Sequence, residues 1–187
     1  MFGIRKKNIE DENRKRLRKI QEGIKSQNCP DRWEYKKISV GGLTEVGFSE
    51  QNDDLLLIIS GNGRGLFDCS RLELVDRDDS TDFDIDYFNL ACQGIGIVKN
   101  EKIEIAGLRG GGLPVTNSQG DSLEIMTLDW PKTNIIFQLQ WSSIYMEKNS
   151  EKCFNIYSTE TLRAYGFSKN RKYLVISTSS ELLIFKR

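Results

Sequence analysis

From residue 33 onward the chain is a succession of short apolar or alternating runs, none longer than a strand, and this pattern restricts its fold more than any other feature. The runs fall at 33–40, 55–60, 65–67, 72–75, 83–88, 95–98, 102–105, 123–128, 134–138, 153–157, 162–167, 173–177 and 182–185. Turn-forming clusters separate them about every ten residues, the spacing of β-sandwiches, barrels and propellers. No segment after residue 30 has the sustained periodicity of a long helix. The pattern predicts a mainly β domain over 31–187, built as an antiparallel meander. A small irregular β-propeller is one form of it, and a β-sandwich is the alternative.

Residues 8–28 read as an α-helix. Asn8 is placed to cap it, Glu10, Asp11 and Glu12 suit the positive end of the dipole, and the basic residues follow. Ile9, Leu17, Ile20 and Ile24 form a narrow apolar stripe. The sequence Asn28-Cys29-Pro30 ends the helix, because the residue before proline is pushed out of the α region. Residues 1–30 are therefore expected as a basic helical appendage.

The stretch 93–114 is the most individual in the chain: two short β-type runs around Lys99-Asn100, then Arg109 and the glycines Gly110, Gly111 and Gly112, closed by Pro114. There is also an internal echo. Segments 45–68 and 163–187 each carry Gly-Phe-Ser, a polar turn, an aliphatic run and an apolar strand, with the two Gly-Phe-Ser triplets 119 residues apart and a two-residue insertion between the copies. This resembles the inner hairpin of a WD-repeat-like propeller blade without its Trp-Asp signature, and the separation corresponds to about three blades.

Composition removes many functions. The 187 residues include no histidine, which takes away the usual general base near neutral pH, the Ser-His and Cys-His pairs, and the commonest metal ligand. Cysteines stand singly at 29, 69, 92 and 153, so no C-x-x-C zinc pair exists and reduced thiols are expected. No apolar run approaches the length of a membrane span and no apolar segment follows the basic N-terminus, so a cytoplasmic protein that engages no membrane is expected. Net charge is zero but unevenly placed: residues 1–30 carry nine basic and four acidic residues, residues 50–90 three basic and eleven acidic. Such asymmetry bears on partners rather than on fold.

Two candidate sites follow. The acidic region comprises Asp76, Asp78, Asp79, Asp82, Asp84 and Asp86. Asp82, Asp84 and Asp86 have the spacing that opens an EF-hand loop, but Tyr87 and Gln93 replace its glycine and glutamate, so no metal is expected. On a strand these aspartates would share one face, with Phe83, Ile85 and Tyr87 on the other; the region is read either as a solvated edge or as a negative field that docks a basic partner. The second site is the loop Arg109, Gly110, Gly111 and Gly112. Its glycines suit positive φ angles in a tight connection, and a cradle for an anion is the functional alternative. Trp33, Trp130 and Trp141, with Tyr87, Tyr145 and Tyr165, are read as packing residues, an exposed subset of which would suit an interface. No catalytic residue and no cofactor is expected.

Segments 94–114, 123–131 and 162–187 resemble a group of small bacterial proteins that includes immunity-type proteins of polymorphic toxin systems. The Gly-Gly-Gly-Leu-Pro and Leu-Asp-Trp-Pro elements carry the likeness. The resemblance implies a non-enzymatic protein that binds a cognate protein toxin, such as a nuclease, stoichiometrically and makes no direct contact with nucleic acid. The alternatives are a propeller-like interaction scaffold, or a small-molecule-binding or hydrolytic protein centred on the glycine loop.

Overall fold

The structure, a computed structural model, describes residues 2–187, with side chains for all but 1–10, 147 and 148. It is mainly β with one N-terminal helix, as the spacing predicts. The chain divides into two compact units, residues 1–30 with 118–160, and residues 31–117 with 161–187.

In the first unit the helix Phe2–Gly23 accompanies a sheet of the strands Lys25–Ser26, Cys153–Thr159, Lys132–Gln138 and Ser122–Asp129, in that order. The helix starts and ends earlier than expected. Asn8 lies inside it, and the side chains of Asn8, Ile9 and Glu10 fall outside the described residues. Its end at Gly23 has a physical cause in the sheet: Lys25 and Ser26 leave the helix to pair in parallel with Phe154 and Asn155. The apolar stripe is used, since Leu17, Ile20 and Ile24 pack on Met126, Ile136, Ile144 and Cys153. Arg14 donates to the Leu128 carbonyl and Arg18 pairs with Asp129 at 2.5 Å, so part of the helix's positive charge serves to hold it.

The second unit stacks three antiparallel sheets. The middle sheet has the order Ala106–Gly107, Leu43–Phe48, Leu55–Ser60, Gly63–Asp68, Glu73–Asp78. On one side lies the sheet Leu162–Phe167, Tyr173–Thr178, Glu181–Lys186, Glu34–Ser39, and on the other the small sheet Ile85–Asp86, Ala91–Gln93, Lys102–Glu104. The strand Leu55–Ser60 explains the layering. Its unbroken aliphatic run is covered on both faces, with Leu56 and Ile58 in one core and Leu55, Leu57 and Ile59 in the other.

Two expected strands are different. Residues 95–98 form a short 3-10 turn, Gly96–Val98, because Gly96 has φ 56° and the Asp76 carboxylate occupies the space where a Cβ would be. Of 83–88, only Ile85–Asp86 pairs as a strand. The strand Leu43–Phe48, masked in the sequence by Thr44, Glu45 and Gly47, lies beside the central one.

Candidate functional site

The acidic region is built by three local devices. Strand Glu73–Asp78 is the edge of the middle sheet, and its pairing sets two faces. Asp76 and Asp78 stand opposite Leu66 and Arg64, on the side of the small sheet, whereas Leu74 and Arg77 stand opposite Phe67 and Gly65 on the reverse. A loop then carries Asp79, Asp82 and Asp84, and Asp86 ends the region in the small sheet.

Arg64 organises the interior side. Its side chain is only 12% exposed; it pairs with Asp78 at 2.5 Å, donates to the Gln93 carbonyl at 2.8 Å, and lies 4.6 Å over the Phe83 ring. The hydrogen bond from Arg64 holds the Asp78 carboxyl below the usual carboxylate range, helped by the Ser80 amide. Asp86 is held well below that range too, first by the Asn89 side-chain amide, then by Lys102 at 2.6 Å and the Asn89 backbone N–H. Arg77 pairs with Asp79.

The six aspartates therefore fall into two classes. Asp78, Asp79 and Asp86 are each answered by a cation of the fold, while Asp76, Asp82 and Asp84 have no ion-pair partner among the described residues. Asp82, Asp84 and Asp86 do not share one strand face, because the chain is looped at Asp82 and Asp84. Together with Arg64, Phe83 and Lys102 they line an open concavity of about 460 Å³. Behind it the Cys92 thiol is buried, flanked by Arg64 and Glu45; burial first, then the negative Glu45, pushes its pKa up against the opposing pull of Arg64. A thiol so placed stays protonated and is a packing group.

The glycine loop is tied into the backbone. Gly107 donates to the Gly110 carbonyl at 2.8 Å and Gly110 returns the bond at 3.2 Å; Leu108 donates to the Thr44 carbonyl. Gly110 and Gly111 have φ of 118° and 76°, and a Cβ on Gly111 would overlap the Ile105 carbonyl oxygen. Within the loop itself the Gly110 amide is thus engaged by a carbonyl, and the pair it forms with Gly107 closes the turn. The Arg109 guanidinium lies 4.6 Å over the Tyr87 ring, so the loop and the acidic region, separate in sequence, are neighbours. Beside the loop, Gly111, Gly112, Leu113 and Pro114 line a small cavity of about 230 Å³ with Phe48 and Phe167.

Sequence reading missed Arg64, Lys102, Asn89 and the buried Glu101, whose carboxylate accepts from Ser49 Oγ at 2.6 Å and from the Glu50 amide at 2.5 Å, shaping the 49–54 turn. Arg64 had a signal: it is the one cation between residues 50 and 70, set in a strand whose alternation turns it inward. Of the aromatic residues, Trp33 is buried, while Trp130 and Trp141 are 85% and 78% exposed. Among the described residues no helix is long and apolar enough to cross a membrane, and no three carboxylate or thiol groups are placed to hold a metal ion. The chain matches no protein-family model, no curated protein and no solved structure.

Proposed function

We propose that this chain is a non-enzymatic binding protein that neutralises a cognate protein toxin by stoichiometric binding, docking a basic surface of the toxin on the acidic face. The observation that carries the reading is the division among the aspartates. Arg64, Lys102 and Asn89 fix the frame of the region through Asp78 and Asp86, and that frame holds Asp82 and Asp84 out in solvent without cations of their own among the described residues. Unneutralised charge on a fixed frame steers association and discriminates partners. A nuclease suits the role of toxin, because a cleft that holds phosphates is basic.

The test expresses the toxin-like polypeptide encoded beside this gene with and without the chain, then titrates the purified pair over a range of salt. Rescue by a one-to-one, salt-sensitive complex that Asp82→Lys with Asp84→Lys abolishes is the expected result; that pair spares Asp78, which the fold uses. Rescue that survives the reversal moves the interface elsewhere. Absence of both rescue and binding overturns the immunity reading.

A further inference from the structure

The reverse face of strand Glu73–Asp78 meets the acidic region through the Arg77–Asp79 pair, and it borders a groove. Leu74 and Arg77 form one lip; Lys36 and Ile38, on the edge strand Glu34–Ser39 of the neighbouring sheet, form the other. The floor is Ile58 and Phe67, and the volume of about 440 Å³ is in the range of small-molecule sites. Gly65 keeps the floor open. A Cβ there would meet the tip of the exposed Leu74 at 3.1 Å and the Asp76 carbonyl oxygen at 4.0 Å.

The charge around this groove is uneven. Arg77 is neutralised by Asp79. Lys36 donates from Nζ to the Leu72 carbonyl at 2.6 Å, a neutral acceptor, and pairs with no carboxylate among the described residues. An apolar floor with one uncompensated cation at its rim complements a molecule that is hydrocarbon over most of its length and carries a single negative charge. A dianion would leave one charge unanswered over Ile58 and Phe67.

We propose that this groove binds a small amphipathic carboxylate, its aliphatic or aromatic body on Ile58, Phe67 and Leu74 and its carboxylate at Lys36 Nζ. Its floor and Lys36 lie on the opposite side of the strand from Asp76 and Asp78, so the Lys36→Met test leaves the acidic face untouched.

The experiment titrates octanoate and, separately, 1-octanol into the full chain while following backbone amide resonances. Saturable shifts centred on Gly41, Gly63 and Gly65 are expected with both, octanoate binding more tightly. Lys36→Met, a change at an exposed residue that keeps the aliphatic stem, is expected to weaken octanoate about tenfold and leave octanol unchanged, the loss of one charge-assisted contact. Gly65→Val is expected to remove binding of both by filling the floor. No saturable shift at these glycines, or octanoate affinity unchanged in Lys36→Met, overturns the proposal. Should Gly65→Val fail to fold, the Lys36→Met comparison decides alone.

Discussion

In the hairpin that begins at Leu43 and in the one that begins at Leu162, the serine of a Gly-Phe-Ser triplet closes the turn by donating its N–H to the first residue of the following strand. The distances are 2.9 Å from Ser49 to Leu55 and 3.0 Å from Ser168 to Tyr173. The glycine before it lets another segment cross: the Glu104 backbone over Gly47, Leu113 and Pro114 over Gly166. What differs is the strand added outside. Each hairpin continues into a third strand, Gly63–Asp68 in the first copy and Glu181–Lys186 in the second; beyond it the first receives Glu73–Asp78, the strand that follows in the chain, acidic and open-edged. The second receives Glu34–Ser39 from far upstream, which carries Lys36 and Lys37 and brings the beginning of the unit against its end. The shared hydrogen bonds build the cores, and the added strands decide the surfaces. Charge on both outer strands also opposes edge-to-edge pairing between copies of the chain.

The largest effect tests whether the two corners are equivalent. A Cβ on Gly47 would overlap the Glu104 carbonyl oxygen, and one on Gly166, where φ is 152°, would overlap the Leu113 side chain. Gly47→Val and Gly166→Val are each expected to destabilise the fold by about 3 kcal/mol or more in urea unfolding, the upper end of overpacking, with backbone strain added at Gly166 alone. Gly41→Ala, with open space around it, serves as a control expected within about 0.5 kcal/mol. A large loss at only one of the two positions breaks the equivalence.

The intermediate effect concerns a position where the copies differ in chemistry. In pairing register Arg64 corresponds to Leu182: Arg64 faces Ile59 and Leu182 faces Ser177. Arg64→Leu places the second hairpin's residue in the first. It removes the bond to the Gln93 carbonyl and the contact with Phe83, together worth about 1 kcal/mol, and it releases Asp78. The pH dependence follows with a definite sign. Asp78 and Asp86 are held below the unfolded carboxyl value of about 3.9, so the unfolded chain takes up protons first. Their contribution is fully present above that value and is lost as pH falls through the folded pKa values. Urea midpoints measured from neutral pH downward are expected to fall in acid for the unaltered chain and to fall less steeply for Arg64→Leu.

These contrasts also show what the sequence could reveal. The β class, the helix and the echo were legible because they rest on periodicity and on the local turn chemistry of Gly-Phe-Ser. The copies do differ by less than the letters suggest: aligned on their hydrogen bonds, the turns differ by one residue, and Ser60 corresponds to Thr178 rather than to Ser177. Strand Leu43–Phe48 was hidden because Glu45, almost wholly buried, breaks the apolar alternation. The ending at Gly23 was hidden because pairing with Phe154, more than a hundred residues away, determines it. The composition of the acidic region was legible; its division was not, since the cations that answer Asp78 and Asp86 come from strands 14 and 16 residues distant.

The smallest stability effect separates those two classes of aspartate most sharply. Asp82 and Asp84 are exposed, carry no ion pair among the described residues, and sit beside other carboxylates, so the fold gains nothing from their charge. Asp82→Asn with Asp84→Asn is expected to change stability by less than about 0.5 kcal/mol, and any change should be a gain, because like charges are relieved. Asp78→Asn, only a few residues away and removing one charge instead of two, is expected to lower the urea midpoint, because it leaves the largely buried Arg64 guanidinium without its anion. A measurable loss in the double variant would make Asp82 and Asp84 structural groups and remove the basis for a docking face. Equal stability with weakened binding of the proposed partner would show that the loop after the outer strand carries charge the fold itself does not use.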